Sequence, residues 1–207
     1  HEMTSILEID TADGRQARAF LDLPFRLYRD TPQWVPPLAG DAARMLDRKS
    51  HPFYAHSDAA FFLARQGDAA VGRIAALDNA HYNDYNHERT AFFFLFECAD
   101  DPLAAQALFE AAFDWARARG LTEIIGPKGF TALDGLGLLI KGFEHRPAFG
   151  IPYNPAYYDA LVAAAGFETD GDIVSGYLDP QALNAPRFEQ ISRLAERAKQ
   201  RRRLRTR

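Results

Sequence analysis

Cysteine is nearly absent from this chain of 207 residues, which contains only Cys98. A single cysteine excludes a disulfide within the chain and is typical of proteins kept in a reducing cytoplasm. Long apolar runs are absent too, since no stretch approaches the roughly 18 residues of a membrane-spanning helix. No charged-then-apolar secretory leader is recognisable either. We therefore expect a cytoplasmic protein without a transmembrane segment, of a length that suits one well-buried domain.

The best-known catalytic and nucleotide-binding motifs are also missing. The sequence contains no G-x-S-x-G nucleophile motif, no Walker loop and no Rossmann glycine pattern. Its histidines show no H-x-x-x-H spacing, and Cys98 stands alone as a sulfur ligand. We therefore expect no metal site and no serine or cysteine nucleophile.

Charge is distributed unevenly along the chain. The net charge is −4, but residues 187–207 carry nine Lys/Arg against two Glu and leave the remainder at −11. A basic tail alone could suggest nucleic-acid binding. Because the body is acidic and lacks a basic face for phosphates, we expect no nucleic-acid partner and interpret the tail as a solvated helix.

The order of apolar patterns predicts an α/β chain with a mixed sheet. Strands are expected at residues 5–11, 59–65, 70–76, 90–96, 121–127 and 172–178, and helices at residues 14–29, 40–48, 100–120 and 154–166. The two strands at 59–76 should form an antiparallel hairpin, and the apolar strand at 90–96 should lie centrally, covered on both faces. Residues 81–88 are predicted to be a polar loop, and residues 128–153 a long glycine-rich connection that lines a site.

The segment after that connection carries the most informative pattern. Asn154 is placed to cap a helix with Pro155 in its first turn, and Gly166 should end it. Tyr157 and Tyr158 follow in the first turn. Because adjacent helical residues point about 100° apart, we expect only one of the two to face the sheet.

The pattern Asn-Pro-x-Tyr-Tyr followed by Gly-Phe resembles the last helix and following strand of the GNAT acyltransferases, and the order of elements over residues 5–178 matches theirs. A closer resemblance is to a bacterial GNAT-like family with two GNAT-like halves, through Trp-Val-Pro-Pro, His-Pro-Phe-Tyr, Val-Gly-Arg-Ile and Ile-Gly-Pro motifs. The resemblance implies a GNAT-like mixed sheet flanked by helices over residues 3–180. Residues 181–207 would be a basic helix that connects to a second half.

The resemblance also implies acyl transfer from a coenzyme A thioester to an amine. Tyr158, or alternatively Tyr157, would be the acid that protonates the thiolate, and Glu97 would be the base at the end of the central strand. The alternatives are that both tyrosine rings pack in the core with satisfied hydroxyls, and that Glu97 is a solvated carboxylate.

By the same resemblance, acyl-CoA would contact Cys98, Ala99 and Leu103 in the loop after the central strand, and Asn154 would contact coenzyme A or substrate. That loop reads Asp100-Asp101-Pro102 where GNAT enzymes carry glycines, and its carboxylates would repel a diphosphate. Asp101 is also a good helix cap by itself. Lys128 or Arg146 from the long connection is the alternative phosphate contact.

Two functions follow from these residues. The first is an N-acyltransferase, or the first lobe of one, that uses acetyl-CoA or a longer acyl-CoA and a small-molecule or lipid amine. The second is a non-catalytic GNAT-like scaffold that binds a partner, such as its own second half. A homodimer is compatible with either function.

Overall fold

The computed structural model of the chain describes residues 3–38, 40–131, 133–148, 150–177, 179 and 186–202. Its centre is a five-stranded sheet whose spatial order follows the sequence. The strands are β1 (Thr4–Glu8), β2 (Asp58–Gln66), β3 (Ala69–Asp78), β4 (Thr90–Cys98) and β5 (Glu123–Ile125). Neighbouring strands are antiparallel except β4 and β5, which are parallel. The predicted mixed α/β sheet and the hairpin are therefore confirmed.

The described residues form six α-helices. They are α1 (Gly14–Leu27), α2 (Asp41–Leu46), α3 (Ala80–Asn86), α4 (Pro102–Ala118), α5 (Tyr158–Ala164) and α6 (Pro186–Arg202). No helix within the described residues is long and apolar enough to cross a membrane. The chain divides into two compact units, residues 1–168, which hold the sheet, and residues 169–207, which hold α6.

Two apolar cores cover the two faces of the sheet. On one face α4 and α5 pack against side chains such as Phe62 and Phe93. On the other face, side chains of α1 and α2 pack against Phe61 and Phe92. Because neighbouring residues of a strand point to opposite faces, the continuous apolar run of β4 serves both cores, which confirms its predicted central position.

A bulge interrupts β4 just before its end. Arg73 of β3 pairs with Glu97 and Ala75 pairs with Phe94, so β4 contains one more residue than β3 over this interval. Leu95 lies in the left-handed region with φ 52°, which costs a residue with a Cβ atom about 1–2 kcal/mol. The extra residue reverses the alternation, because Phe94 and Leu95 both pack toward the α1 face. Glu97 is thereby placed on the α1 face, beside Arg73.

Two predicted elements were wrong. Residues 81–88 are not a loop, since α3 occupies most of them. The Asn79 side chain accepts a hydrogen bond from Tyr82 N, and His87 ends the helix in the left-handed region. A short capped helix that is polar on all its faces has no helical repeat of apolar residues, so its sequence looks like a loop.

The predicted final strand is also absent from residues 172–177, and Leu178 lies outside the described residues. Ile173 and Val174 are largely exposed. The predicted connector, residues 181–207, contains α6, whereas residues 181–185 and 203–207 are not described.

Candidate active site

The end of β4 presents an edge that no strand of the described residues covers. Strand β5 pairs with β4 only from Thr90 to Phe92. At the far end of β4, Ala99 N–H donates to Val71 O of β3, so the N–H and C=O groups of Cys98 point the other way. Two tyrosine hydroxyls occupy them: Tyr158 accepts the N–H of Cys98 at 2.8 Å, and Tyr157 donates to its carbonyl oxygen at 2.8 Å.

Both tyrosines therefore reach the same residue of the sheet, and the expectation that only one could do so was wrong. The physical reason is that α5 begins at Tyr158, while Tyr157 precedes it as the N-cap. The first turn was predicted to begin at Pro155, three residues earlier. Gly166 follows the C-cap residue in the left-handed conformation, as predicted.

Asn154 does not cap α5, so its predicted capping role was wrong. Its buried side chain instead binds the backbone of the long connection, accepting from Leu139 N at 2.7 Å and donating to Leu139 O at 3.1 Å. This pair of bonds fixes the connection to the start of α5. The contact between Asn154 and coenzyme A or substrate stays a prediction.

Glu97 lies at the centre of a buried polar cluster. Its Oε2 atom accepts hydrogen bonds from Tyr28 at 2.5 Å and from Tyr158 at 2.8 Å, and the two hydroxyl oxygens are 3.5 Å apart. Tyr28, the C-cap residue of α1, and Tyr158 are both buried, whereas 15% of the Glu97 side chain remains exposed. The carboxylate is therefore held through Oε2 and remains partly accessible to solvent.

Arg73 is the cation of this cluster. Its Nη2 atom lies 3.9 Å from Glu97 Oε1, its Nη1 donates to Phe20 O at 2.8 Å, and the guanidinium lies over the Phe20 ring. Nε of Arg73 is buried and has no partner among the described residues. Because 3.9 Å is too long for a hydrogen bond, Oε1 of Glu97 receives none from the described part of the chain. Oε1 is thus the oxygen left for a proton donor from outside.

Burial dominates the proton affinities of the cluster. Burial raises the pKa of Glu97 above its usual value, and the nearby Arg73 charge and the two tyrosine hydroxyls oppose that rise. Burial also raises the pKa of Tyr158 and, to about 12, that of Tyr157. Both hydroxyls consequently carry their protons at neutral pH. A carboxylate of raised pKa beside protonated hydroxyls can accept a proton and pass one on.

The loop between β4 and α4 is closed by its own side chain. Asp101 Oδ1 accepts from Leu103 N at 3.0 Å and from Ala104 N at 3.1 Å, and Pro102 has no N–H. The predicted cap is confirmed. The N–H groups of Leu103, Cys98 and Ala99 therefore all donate to groups within the chain. None of these three predicted coenzyme A contacts has a free backbone N–H to offer to a phosphate.

The two alternative phosphate contacts are also engaged. Nζ of Lys128 lies over the rings of Tyr82 and Phe92, at 4.1 and 4.2 Å. Arg146 donates to Pro32 O at 2.8 Å and so joins the long connection to the loop after α1. Within the described residues, no group of three or more His, Cys, Asp or Glu side chains is placed to hold a metal ion.

Sequence reasoning missed Tyr28 and Arg73. Tyr28 lies near the end of the helix predicted at residues 14–29, where a tyrosine at helical spacing looks like a core residue. Arg73 was part of the Val-Gly-Arg-Ile motif, and a charged residue within a buried strand was the available signal for a partner. The partner, Glu97, reaches that face only through the β4 bulge.

Comparison with known proteins agrees with this geometry at the level of the fold. An aminoglycoside acetyltransferase from an uncultured soil metagenomic sample superposes with a TM-score of 0.52, at 11% identity, over 85% of this chain and 95% of its own. A tandem GNAT protein from the clavulanic acid biosynthesis pathway superposes with a TM-score of 0.53, at 17% identity, over 79% of this chain and 43% of its own. The chain therefore has the fold of the GNAT acetyltransferases, as the sequence resemblance implied.

Curated proteins resemble the chain more closely in sequence. It is 33% identical over 159 residues to the bacterial ceramide synthase of Caulobacter vibrioides (strain NA1000 / CB15N) and 32% identical over 162 residues to protein YghO of Escherichia coli (strain K12). The alignments cover 76% and 78% of this chain but 41% of each relative. The chain thus spans about two fifths of the length of these relatives. No family model matches it.

Proposed function

We propose that this chain is the lobe of an acyl-CoA-dependent N-acyltransferase that binds the acceptor amine and takes up its proton. The observation that carries the proposal is the buried Glu97 carboxylate, held through Oε2 by Tyr28 and Tyr158 while Oε1 is left without a hydrogen bond from the described residues. The GNAT fold supports acyl transfer, and one relative is named a ceramide synthase. A ceramide is an amide of a long-chain amine, so we propose a lipid amine as acceptor.

The proposed reaction needs a base, an acid and a connection between them. The amine nitrogen attacks the carbonyl carbon of the thioester, and Glu97 Oε1 takes the proton that the nitrogen loses. The C–S bond then breaks, and the coenzyme A thiolate takes the proton of the Tyr158 hydroxyl. Tyr158 lies 2.8 Å from Oε2 of Glu97, so rotation of the carboxyl group carries the proton taken up on Oε1 to the Tyr158 oxygen, and the site regains its starting state.

The donor is proposed to be held mainly by another lobe. A diphosphate gains most of its binding from free amides at a helix N-terminus, and Asp101 already occupies those of α4. The relatives are more than twice as long as the aligned segment, which leaves room for a second lobe in them. Tyr157, whose hydroxyl binds the Cys98 carbonyl, is the alternative acid if the thiolate approaches from that side.

The same closed loop favours a second candidate, a non-catalytic scaffold. Calorimetry on the chain separates the two functions, with octylammonium chloride and an acyl-CoA titrated separately. We expect heat with the amine that is lost in Glu97→Gln, and none with acyl-CoA below millimolar concentration. Tyr54→Phe is the matched control, because the Tyr54 hydroxyl binds Met45 O away from Glu97. Binding of neither ligand favours the scaffold, and tight acyl-CoA binding contradicts the division into lobes.

A further inference from the structure

We infer that an aromatic strip leading outward from Glu97 binds the alkyl chain of the acceptor. The strip consists of Tyr28, Trp34 and Phe25. The proposal rests on the proposed function for the position of the amine at Glu97, and it assigns the part of the site that selects chain length.

The three rings form a continuous contact path. Tyr28, whose hydroxyl binds Glu97, stacks on Trp34 with ring centroids 4.9 Å apart and planes 14° apart. Trp34 meets Phe25 edge-on at 5.3 Å. Exposure rises along the path, since Tyr28 is buried, Trp34 is partly exposed and Phe25 is 52% exposed. The carboxylate is therefore joined to the surface by contacting rings, of which Trp34 and Phe25 offer accessible ring surface.

Exposed apolar side chains continue the strip at the surface. Val35 and Leu38 follow Trp34 in the loop after α1, and both are exposed. The long connection adjoins this loop through the hydrogen bond from Arg146 to Pro32 O, and its Tyr153 ring lies 6.4 Å from Tyr28. Exposed apolar side chains grouped in one loop, beside the partly buried Tyr153 of the adjoining connection, mark a binding surface more than any of them would singly.

The chemistry of the two ends defines the occupant. At the inner end lies an anionic oxygen beside protonated hydroxyls, which suits an amine or ammonium group. Outside it lie ring surfaces, which suit an unbranched hydrocarbon chain. Full burial of a methylene is worth about 0.8 kcal/mol, or a factor of about 4 in affinity. For a chain lying on a partly exposed strip we expect about a twofold to fourfold gain for each methylene.

Trp34 allows this binding to be measured directly. The chain has two tryptophans, and the other, Trp115, is a buried residue of α4 with the guanidinium of Arg119 over its ring. In the full chain carrying Trp115→Phe, we would titrate butyl-, hexyl-, octyl- and decylammonium below their aggregation concentrations and follow the Trp34 emission. The dissociation constant should fall by about twofold to fourfold for each methylene. A dissociation constant that does not change with chain length would overturn the proposal.

Two variants localise the chain on the strip. Phe25→Ser should weaken decylammonium binding about tenfold or more and leave butylammonium binding unchanged. Tyr85→Ser is its matched control, since Tyr85 is also an exposed helical aromatic residue, 86% exposed on α3, and should change neither constant. If both variants weaken decylammonium binding equally, the alkyl chain of the ligand binds elsewhere, and the assignment of the strip as its binding site is wrong.

The amine end has its own test. Glu97→Gln should weaken octylammonium but not octanol, since only the former places a charge at the carboxylate. Amide formation, measured separately with a long-chain acyl-CoA in the natural protein that contains these residues, then distinguishes the two proposals. Chain-length dependence without any amide product leaves the strip standing and overturns the proposed function. Amide formation from short and long amines at equal efficiency overturns the strip and leaves the function standing.

Discussion

At the level of single residues, Glu97 is a buried carboxylate, and the positive charge of Arg73 offsets part of the cost of its burial. Removing a carboxylate from water favours its protonated form, while a cation 3.9 Å away favours the charged form. Oε2 also accepts two hydroxyl protons. The balance of these effects sets the pH at which Glu97 can act as a base.

Replacing Arg73 should shift that balance. In Arg73→Met the pKa of Glu97 should rise further, because the opposing charge is gone, and in Arg73→Lys it should rise less. Carbon-13 NMR of the glutamate carboxyls measures this directly, with Glu97→Gln to assign the resonance. Equal Glu97 titration in wild type and Arg73→Met would mean that the two groups do not interact.

Stability should depend on pH through the same residue. A carboxyl with a raised pKa in the folded state binds more protons folded than unfolded, so its contribution to the unfolding free energy is complete below about pH 4.5 and is lost as the pH rises to the folded pKa. Glu97→Gln removes this loss. Urea unfolding from pH 4.5 to 8 should therefore show the variant gaining stability relative to wild type as the pH rises. A constant difference would contradict the raised pKa.

The two tyrosines should differ in their effect on turnover. Tyr158→Phe removes the hydroxyl bound to Glu97 and should lower turnover by about 100-fold or more, the usual contribution of a positioned acid. Tyr157→Phe removes only a bond to the Cys98 carbonyl and should lower it much less. Initial rates of amide formation in the natural protein that contains these residues measure both effects, with Tyr54→Phe as the control. A larger loss in Tyr157→Phe would exchange their roles.

Among the secondary-structure elements, α4 depends on its cap. Asp101 accepts from two amides of the first turn, and these bonds lower the pKa of its carboxyl. Asp101→Ala should reduce the unfolding free energy by about 1 kcal/mol, whereas Asp100→Ala, which removes the neighbouring exposed carboxylate, should change it little. Denaturant unfolding measures both. Equal losses would mean that the cap does not stabilise α4.

Most of the elements could be predicted from local signals. The apolar runs of β2, β3 and β4, the short turn between β2 and β3, and the Asp-Pro start of α4 are each visible in a few neighbouring residues. The site could be predicted only in part. Glu97 and Tyr158 follow from the family resemblance, but their contact with Arg73 and Tyr28 depends on the bulge at Leu95. The spacing of apolar residues in a sequence does not show where a strand will contain such an extra residue.

The same limit explains the errors. The start of α5 was placed three residues too early, because Asn-Pro is a common helix start and the competing bonds from Asn154 to Leu139 lie 15 residues away in sequence. The final strand was predicted from its apolar side chains, but a strand also needs a partner edge, which local sequence does not reveal.

For the whole molecule, we propose a division of work between two lobes. This chain would supply the carboxylate, the tyrosine and the strip, and a second lobe would supply the donor site. The relatives, of which the chain spans 41%, have the length that such a division needs. The central claim is that Glu97 accepts the proton of the amine.

The most direct test measures amide formation in the natural protein that contains these residues, with decylamine and a long-chain acyl-CoA, by mass spectrometry. Wild type and Glu97→Gln are compared from pH 6 to 9. We predict that the variant forms amide about 100-fold more slowly at neutral pH and that its deficit shrinks toward pH 9, where a larger fraction of the amine is already unprotonated. Equal rates in the two proteins at neutral pH would contradict the claim.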